Sequence, residues 1–220
     1  MPLELGNRGT RERLMRLNRR QALQMAAAAA LSAGVGVANA QQPAKASKIT
    51  ASGAAAVPPG MDVKAMYEQF AEKGKGFDMK PGIDGRPVAY VAFDAQCPYC
   101  VQLWEAAKPL ADKVKFVWLP VAILNTNSEP QGAAILSAPD PAAMMERHEA
   151  AFKNPHRGLV TEDMVIPLAA REDVWSNSRI FRRTGGRSVP WGVFKNAKGE
   201  LRLIPDALKT EDLKKILDVN

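Results

Sequence analysis

The run Pro87-Val88-Ala89-Tyr90-Val91-Ala92-Phe93-Asp94-Ala95-Gln96-Cys97-Pro98-Tyr99-Cys100-Val101-Gln102-Leu103-Trp104 holds the only two cysteines of this 220-residue chain. Residues 88–93 are apolar, β-branched and aromatic, the signature of a short buried strand. After the cysteines, apolar residues recur at helical spacing among good helix formers. Strand, turn, Cys-x-x-Cys and helix together predict thiol redox chemistry. Pro98 suits the first helical position, where a missing N–H costs nothing, so Cys97 falls at the N-cap. Unpaired amides and the positive end of the helix dipole then favour a Cys97 thiolate. A free thiol of pKa about 8.5 is only a few per cent ionised at neutral pH, and helix-start Cys-x-x-Cys sites lie well below that value. Cys100, one turn on, is within disulfide reach. Cys97 is thus expected to attack and Cys100 to resolve. A purely structural bridge would gain little from so short a loop. A zinc site lacks ligands, because no second cysteine pair exists and His148 and His156, in a polar region, do not complete a set. No metal is therefore expected.

Residues 1–40 read as an export signal. Arg8, Arg11, Arg13, Arg16, Arg19 and Arg20 form a basic n-region, Met25 to Val37 an Ala-rich apolar core, and Ala38-Asn39-Ala40 a cleavage site. The pair Arg19-Arg20 directly before the apolar run has a twin-arginine character. The formal charge of +7 is concentrated there, since the remaining 180 residues carry 24 basic against 21 acidic side chains. That balance, with no basic stripe interleaved with aromatics, argues against nucleic acid as a partner. Arg179, Arg182, Arg183 and Arg187 read as a solvated helix end.

Residues 41–60, rich in Ala, Pro, Ser and Gly, are expected to form a flexible linker. Residues 61–83 supply a short amphipathic helix, 62–73, with Asp62 as N-cap and Val63, Met66, Tyr67 and Phe70 on its apolar face. A loop or weak edge strand follows. So short a helix needs a surface to pack on, in this domain or a partner. The main domain is placed at 84–220. After the first strand and the cysteine helix, kinked at Pro109, a second strand is expected at 114–121. Helices are expected at 131–138, 141–152, 161–168 and 171–184. Strands 191–194 and 201–204 make a hairpin across Asn196-Ala197-Lys198-Gly199, and Thr210 caps a last helix at 211–217.

This order, β–α–β–helical block–β–β–α, resembles the thioredoxin fold, an α/β class, with a helical insertion at about 129–183 between its two halves. Within that fold, the segment Tyr90 to Cys100, the helix bearing Trp104 and Pro109, and Ala133-Ala134-Ile135-Leu136 followed by Asp140-Pro141 resemble the periplasmic disulfide isomerase group of DsbC and DsbG, DsbG above all. The resemblance implies a cis proline at Pro190 in Ser188-Val189-Pro190, beside the cysteines, with Val189 offering backbone groups to an extended substrate. It implies a periplasmic thiol:disulfide oxidoreductase with catalytic Cys97 and Cys100, motif residues Pro98 and Tyr99, and substrate-binding Val189 and Pro190. No cofactor beyond the cysteine pair is implied. Its partners would be exported proteins with cysteines and a membrane redox protein of DsbD or DsbB type.

There are three departures. About 40 residues separate Gln41 from the first strand, too few for the group's N-terminal dimerisation domain, which leaves a monomer open. Val189 stands where the group has threonine, as in the oxidase DsbA and the glutaredoxins. Val91 stands where thioredoxin and DsbA keep a buried acid, a departure from those two that fits the DsbG-like branch. A DsbG-like reductase or isomerase, with sulfenylated cysteines among its candidate substrates, is the first expectation. A DsbA-like disulfide donor and a chaperone-type binding module are the alternatives.

Overall fold

A computed structural model describes residues 55–219. The export signal and most of the linker lie outside the described residues. Five strands form one mixed sheet: β1 (Phe77–Asp78), β2 (Val88–Phe93), β3 (Lys115–Pro120), β4 (Trp191–Lys195) and β5 (Leu201–Ile204), in the order β1-β3-β2-β4-β5. β2 and β3 run parallel, with Val91 opposite Trp118, and the other pairings are antiparallel. Among the described residues six α-helices accompany the sheet: α1 (Val63–Lys73), α2 (Pro98–Ala107), α3 (Ser128–Leu136), α4 (Pro141–Ala150), α5 (Leu168–Arg183) and α6 (Thr210–Leu217).

Both faces of the sheet are covered, which is why the central strands read as unbroken apolar runs. On one face Val91, Phe93, Phe116 and Trp118 meet Leu103 and Trp104 of α2 and Leu213 and Ile216 of α6. The Trp104 and Trp118 rings lie edge to face with centroids 5.0 Å apart. On the other face Ala92, Leu119, Val193 and Leu203 meet Met66 and Phe70 of α1 and Ile180 and Phe181 of α5. The amphipathic helix at 62–73 therefore packs on this domain's own sheet, with Asp62 Oδ1 accepting from Ala65 N at its start. Arg86 fastens the approach to β2. It is buried and donates to Asp78 Oδ2 and to the carbonyls of Lys80, Ile83 and Ala111.

Four local expectations are corrected. Residues 161–168 form no helix; Thr161 begins a single turn closed by Met164 N, and α5 starts only at Leu168. The β-branched pair Val165-Ile166 before Pro167 disfavours helical backbone there. α3 begins at Ser128, three residues early. Pro109 stops α2 rather than bending it, because the helix ends at Ala107 and Lys108–Leu110 form a 3-10 turn. Thr210 is the first residue of α6, not its cap; its hydroxyl donates to the Ala106 carbonyl and ties α6 to the end of α2.

The turn after α5 brings the chain against the start of α1, where Asp62 N donates to the Thr184 carbonyl. Gly185 has φ +94°, and a Cβ there would press on the Gly60 carbonyl and lie 2.6 Å from Met61 Cα. Both the dihedral and the backbone contact exclude other residues. Gly185→Ala is expected to destabilise the domain by about 2 kcal/mol or more, measurable as a lower urea midpoint with an unchanged slope.

Candidate active site

Cys97 is the N-cap of α2, and Pro98 occupies the first turn. β2 delivers the chain to this point through Asp94-Ala95-Gln96, where Cys97 N donates to the Asp94 carbonyl and Gln96 N to Asp94 Oδ1. Both sulfurs are nearly closed to water, at 2% exposure for Cys97 and 1% for Cys100, and both are free thiols. The Cys97 thiol lies 3.4 Å from the Val189 carbonyl, and the Val189–Pro190 peptide is cis. Cys97, Cys100 and Val189 are thus brought together at the start of α2, with Pro190 following at the head of β4. Pro98 and Tyr99 open the helix between the cysteines.

The two thiols are electrostatically unlike. A hydrogen bond from the Cys100 thiol lowers the Cys97 pKa. Burial works against that shift, the Cys100 and Tyr99 amides reinforce it, and the charge of Asp94 opposes it, with a net lowering. Cys100 moves the other way, well above the ordinary thiol value, first through burial and then through its hydrogen bond and charge interaction with Cys97. At a helix start this arrangement favours the thiolate at one sulfur and the protonated thiol at the other, the inequality that thiol–disulfide exchange uses.

Two residues matter here that the sequence reading passed over. Asp94 is fully buried, and its Oδ2 accepts from Ile123 N and Leu124 N in the loop after β3. Burial raises its pKa although the Ile123 and Gln96 amides pull the other way. The acid missing at position 91 is thus matched by a buried acid three residues along the chain; an aspartate between an apolar strand and Cys-x-x-Cys was the available signal. His148, assigned to a polar region, is instead fully buried against the Ala95 carbonyl. It lies one helical turn past Met144 and Met145, on the inner side of α4, a periodicity hidden by the charged residues around it.

One acidic group could in principle hold a cation. Carboxylates of Glu105, Glu146 and Glu149 lie within 4.8 Å of one another. Lys108 Nζ already sits among them, paired with Glu105 and, at 2.7 Å, with Glu146, while burial pushes the Glu149 pKa up to about 9, so the cluster already holds its own cation. It is built from the end of α2 and the outer side of α4, away from the cysteines.

The unequal thiols have a direct readout. Iodoacetamide is expected to label Cys97 of the reduced, folded protein near neutral pH and to spare Cys100 until denaturation. Labelling should fade on acidification, through a midpoint below the ordinary thiol value, as the Cys97 thiolate takes up its proton. Peptide mass spectrometry across a pH series checks both.

Residues 82–219 match the family described as "Thioredoxin-like domain". The thiol:disulfide interchange protein DsbG of Pseudomonas aeruginosa is 31% identical over 136 residues, 61% of this chain and 52% of that protein. DsbG of Escherichia coli K12 is 39% identical over 69 residues, 30% of this chain and 28% of that protein. The chain thus spans about half the length of the first of these relatives or less. Among solved structures, a periplasmic thioredoxin-like protein from Salmonella enterica serovar Typhimurium superposes with a TM-score of 0.56 at 17% identity, over 70% of this chain and 95% of that one. Pseudomonas aeruginosa DsbA2 gives 0.53 at 17% identity, over 66% and 96%. These structural likenesses speak for the fold. With the match covering most of the chain, the strand order and the cysteine helix together, this protein belongs to the thioredoxin-like domain family.

Proposed function

We propose that this chain is a periplasmic thiol:disulfide oxidoreductase of DsbG type, acting as a reductase or isomerase on exported proteins. The observation that carries the reading is the inequality of the two sulfurs, Cys97 favoured as a thiolate at the start of α2 and Cys100 held protonated behind it. Similarity to two DsbG proteins supports the branch. The basic, apolar and Ala-x-Ala pattern of residues 1–40 supports export.

In the reductive direction the Cys97 thiolate attacks a substrate disulfide. A mixed disulfide forms and one substrate sulfur leaves as thiolate, which takes up a proton. Cys100 then loses its proton and attacks the Cys97 sulfur. The mixed disulfide breaks, the second substrate sulfur leaves, and a Cys97–Cys100 disulfide remains. Two electrons have passed to the substrate, and no bound cofactor takes part. A membrane protein of DsbD type would return the pair to the dithiol. Running the same steps backward donates a disulfide, the DsbA-like sense, with a DsbB-type protein as acceptor.

The backbone of Val189 is suited to an incoming chain, because its carbonyl already lies beside the Cys97 sulfur. A substrate segment running alongside Val189 would present its sulfur to Cys97.

Replacing the resolving thiol gives the test. Cys100→Ala, expressed with its leader, is expected to accumulate mixed disulfides through Cys97 with exported cysteine-containing proteins. These should vanish in the Cys97→Ala, Cys100→Ala double variant. A parallel measurement of the resting state of the wild-type pair sets the direction: reduced for the reductase or isomerase, oxidised for the disulfide donor. Absence of any Cys97 adduct in periplasmic extracts would overturn the function.

A further inference from the structure

The helical block between β3 and β4 carries no cysteine, yet its polar side chains converge on the two residues before Cys97. His148 of α4 is fully buried, and its Nε2 lies 2.7 Å from the Ala95 carbonyl oxygen. Its other nitrogen, Nδ1, accepts from Leu159 N at 3.3 Å. A ring that accepts at Nδ1 must, when neutral, carry its proton on Nε2, so His148 donates to Ala95. The other edge of the same peptide unit is held as well, since Gln96 N donates to Asp94 Oδ1 at 2.9 Å. The Ala95–Gln96 peptide plane is therefore gripped at its oxygen by the helical block and at its N–H by the strand end.

The Gln96 side chain makes the same connection. Its amide nitrogen donates to Gln131 Oε1 of α3 at 2.6 Å and to the carbonyls of His156 and Arg157, while its oxygen accepts from Asn125. Gln131 in turn donates to the carbonyls of His156 and Leu159. The loop is shaped for the imidazole. Gly158 has φ +120°, and a Cβ there would clash with the His148 ring at its Cε1. Phe152 lies edge to face with that ring at 5.8 Å.

We propose that His148 is a positioning residue for the Cys97 thiolate, acting through the Ala95 carbonyl. The Cys97 sulfur depends on alignment with the Cys100 thiol and with the Tyr99 and Cys100 amides. Those hydrogen bonds weaken steeply with misalignment. A peptide plane one residue before the N-cap that is free to rotate lets the sulfur drift from them. An imidazole clamped on both nitrogens prevents the rotation. The inference rests on the reading of Cys97 as the attacking thiolate and adds a device that fixes its acidity.

The test compares His148→Leu, which cannot donate, with His148→Gln, whose amide can, in the reduced protein. The readout is the pH profile of Cys97 alkylation, beside thermal melting. His148→Leu is expected to slow Cys97 alkylation near pH 6 by about tenfold, a shift of roughly one pKa unit. His148→Gln should recover most of that loss even where its melting point stays low. Gln131→Met, which releases Gln96, should shift the profile in the same direction and serves if the leucine variant fails to fold. Profiles that superimpose on the wild type while melting points fall would reduce His148 to a scaffold residue and overturn the proposal, as would unfolding of both variants. If the wild-type Cys97 itself titrated like free cysteine, the proposed function would fail, a result distinct from unchanged variants beside an acidic wild-type thiol.

Discussion

A sulfur whose charged form is favoured while it is almost sealed from water is the constraint around which this domain is arranged. Burial alone would push Cys97 toward the neutral thiol. The balance is reversed by a short list of donors at one helix start, namely the Cys100 thiol and the amides of Tyr99 and Cys100. None of these tolerates slack, and the surroundings fix the site at several points. β2 enters from the centre of the sheet, with partners on both sides, and Trp104 anchors α2 against Trp118 and Phe77. Asp94 ties the strand end to the loop after β3. Its nearby charge limits how acidic Cys97 becomes, so the same carboxylate holds the site in shape and moderates its reactivity.

Much of this was legible in the sequence because the signals were local. The six residues of β2, the Cys-Pro-Tyr-Cys turn and the Asn196–Gly199 hairpin announce themselves within a dozen residues. Asn196 Oδ1 accepts from Lys198 N and Glu200 N, the side-chain capping such a turn asks for. The cysteines, Val189 and Pro190 could be singled out because motif and order carry them. What was misread depends on local stops weighed too lightly or on distance along the chain. Residues 161–168 have helical composition, but Pro167 and the preceding β-branched pair decide otherwise. Thr210 has the chemistry of a cap, but its hydroxyl is taken by Ala106, more than a hundred residues earlier. His148 stands among charges in sequence and against the Ala95 carbonyl in space. No periodicity argument could have paired them.

The helical block accordingly has two faces of different character. Its inner side chains, Gln131 and His148, are spent on the backbone and side chain preceding Cys97. Its outer side carries charge, with Lys108 reaching across from the end of α2 to Glu146. Insertion between the halves of the fold thus adds a wall behind the reactive loop while leaving the sheet pairing undisturbed.

The amphipathic segment α1 has a last implication, for where this folding unit begins. Met66 and Phe70 are almost wholly enclosed and cover Leu203, Leu119 and Ala92 on the sheet face opposite the cysteines. Arg86 and three of its four acceptors, Asp78, Lys80 and Ile83, belong to the same upstream stretch. A piece cut at β2, where the first long strand invites a boundary, would uncover the part of this sheet face that α1 shields and leave it to α5 alone. The smallest autonomous form of this protein has to start before Asp62.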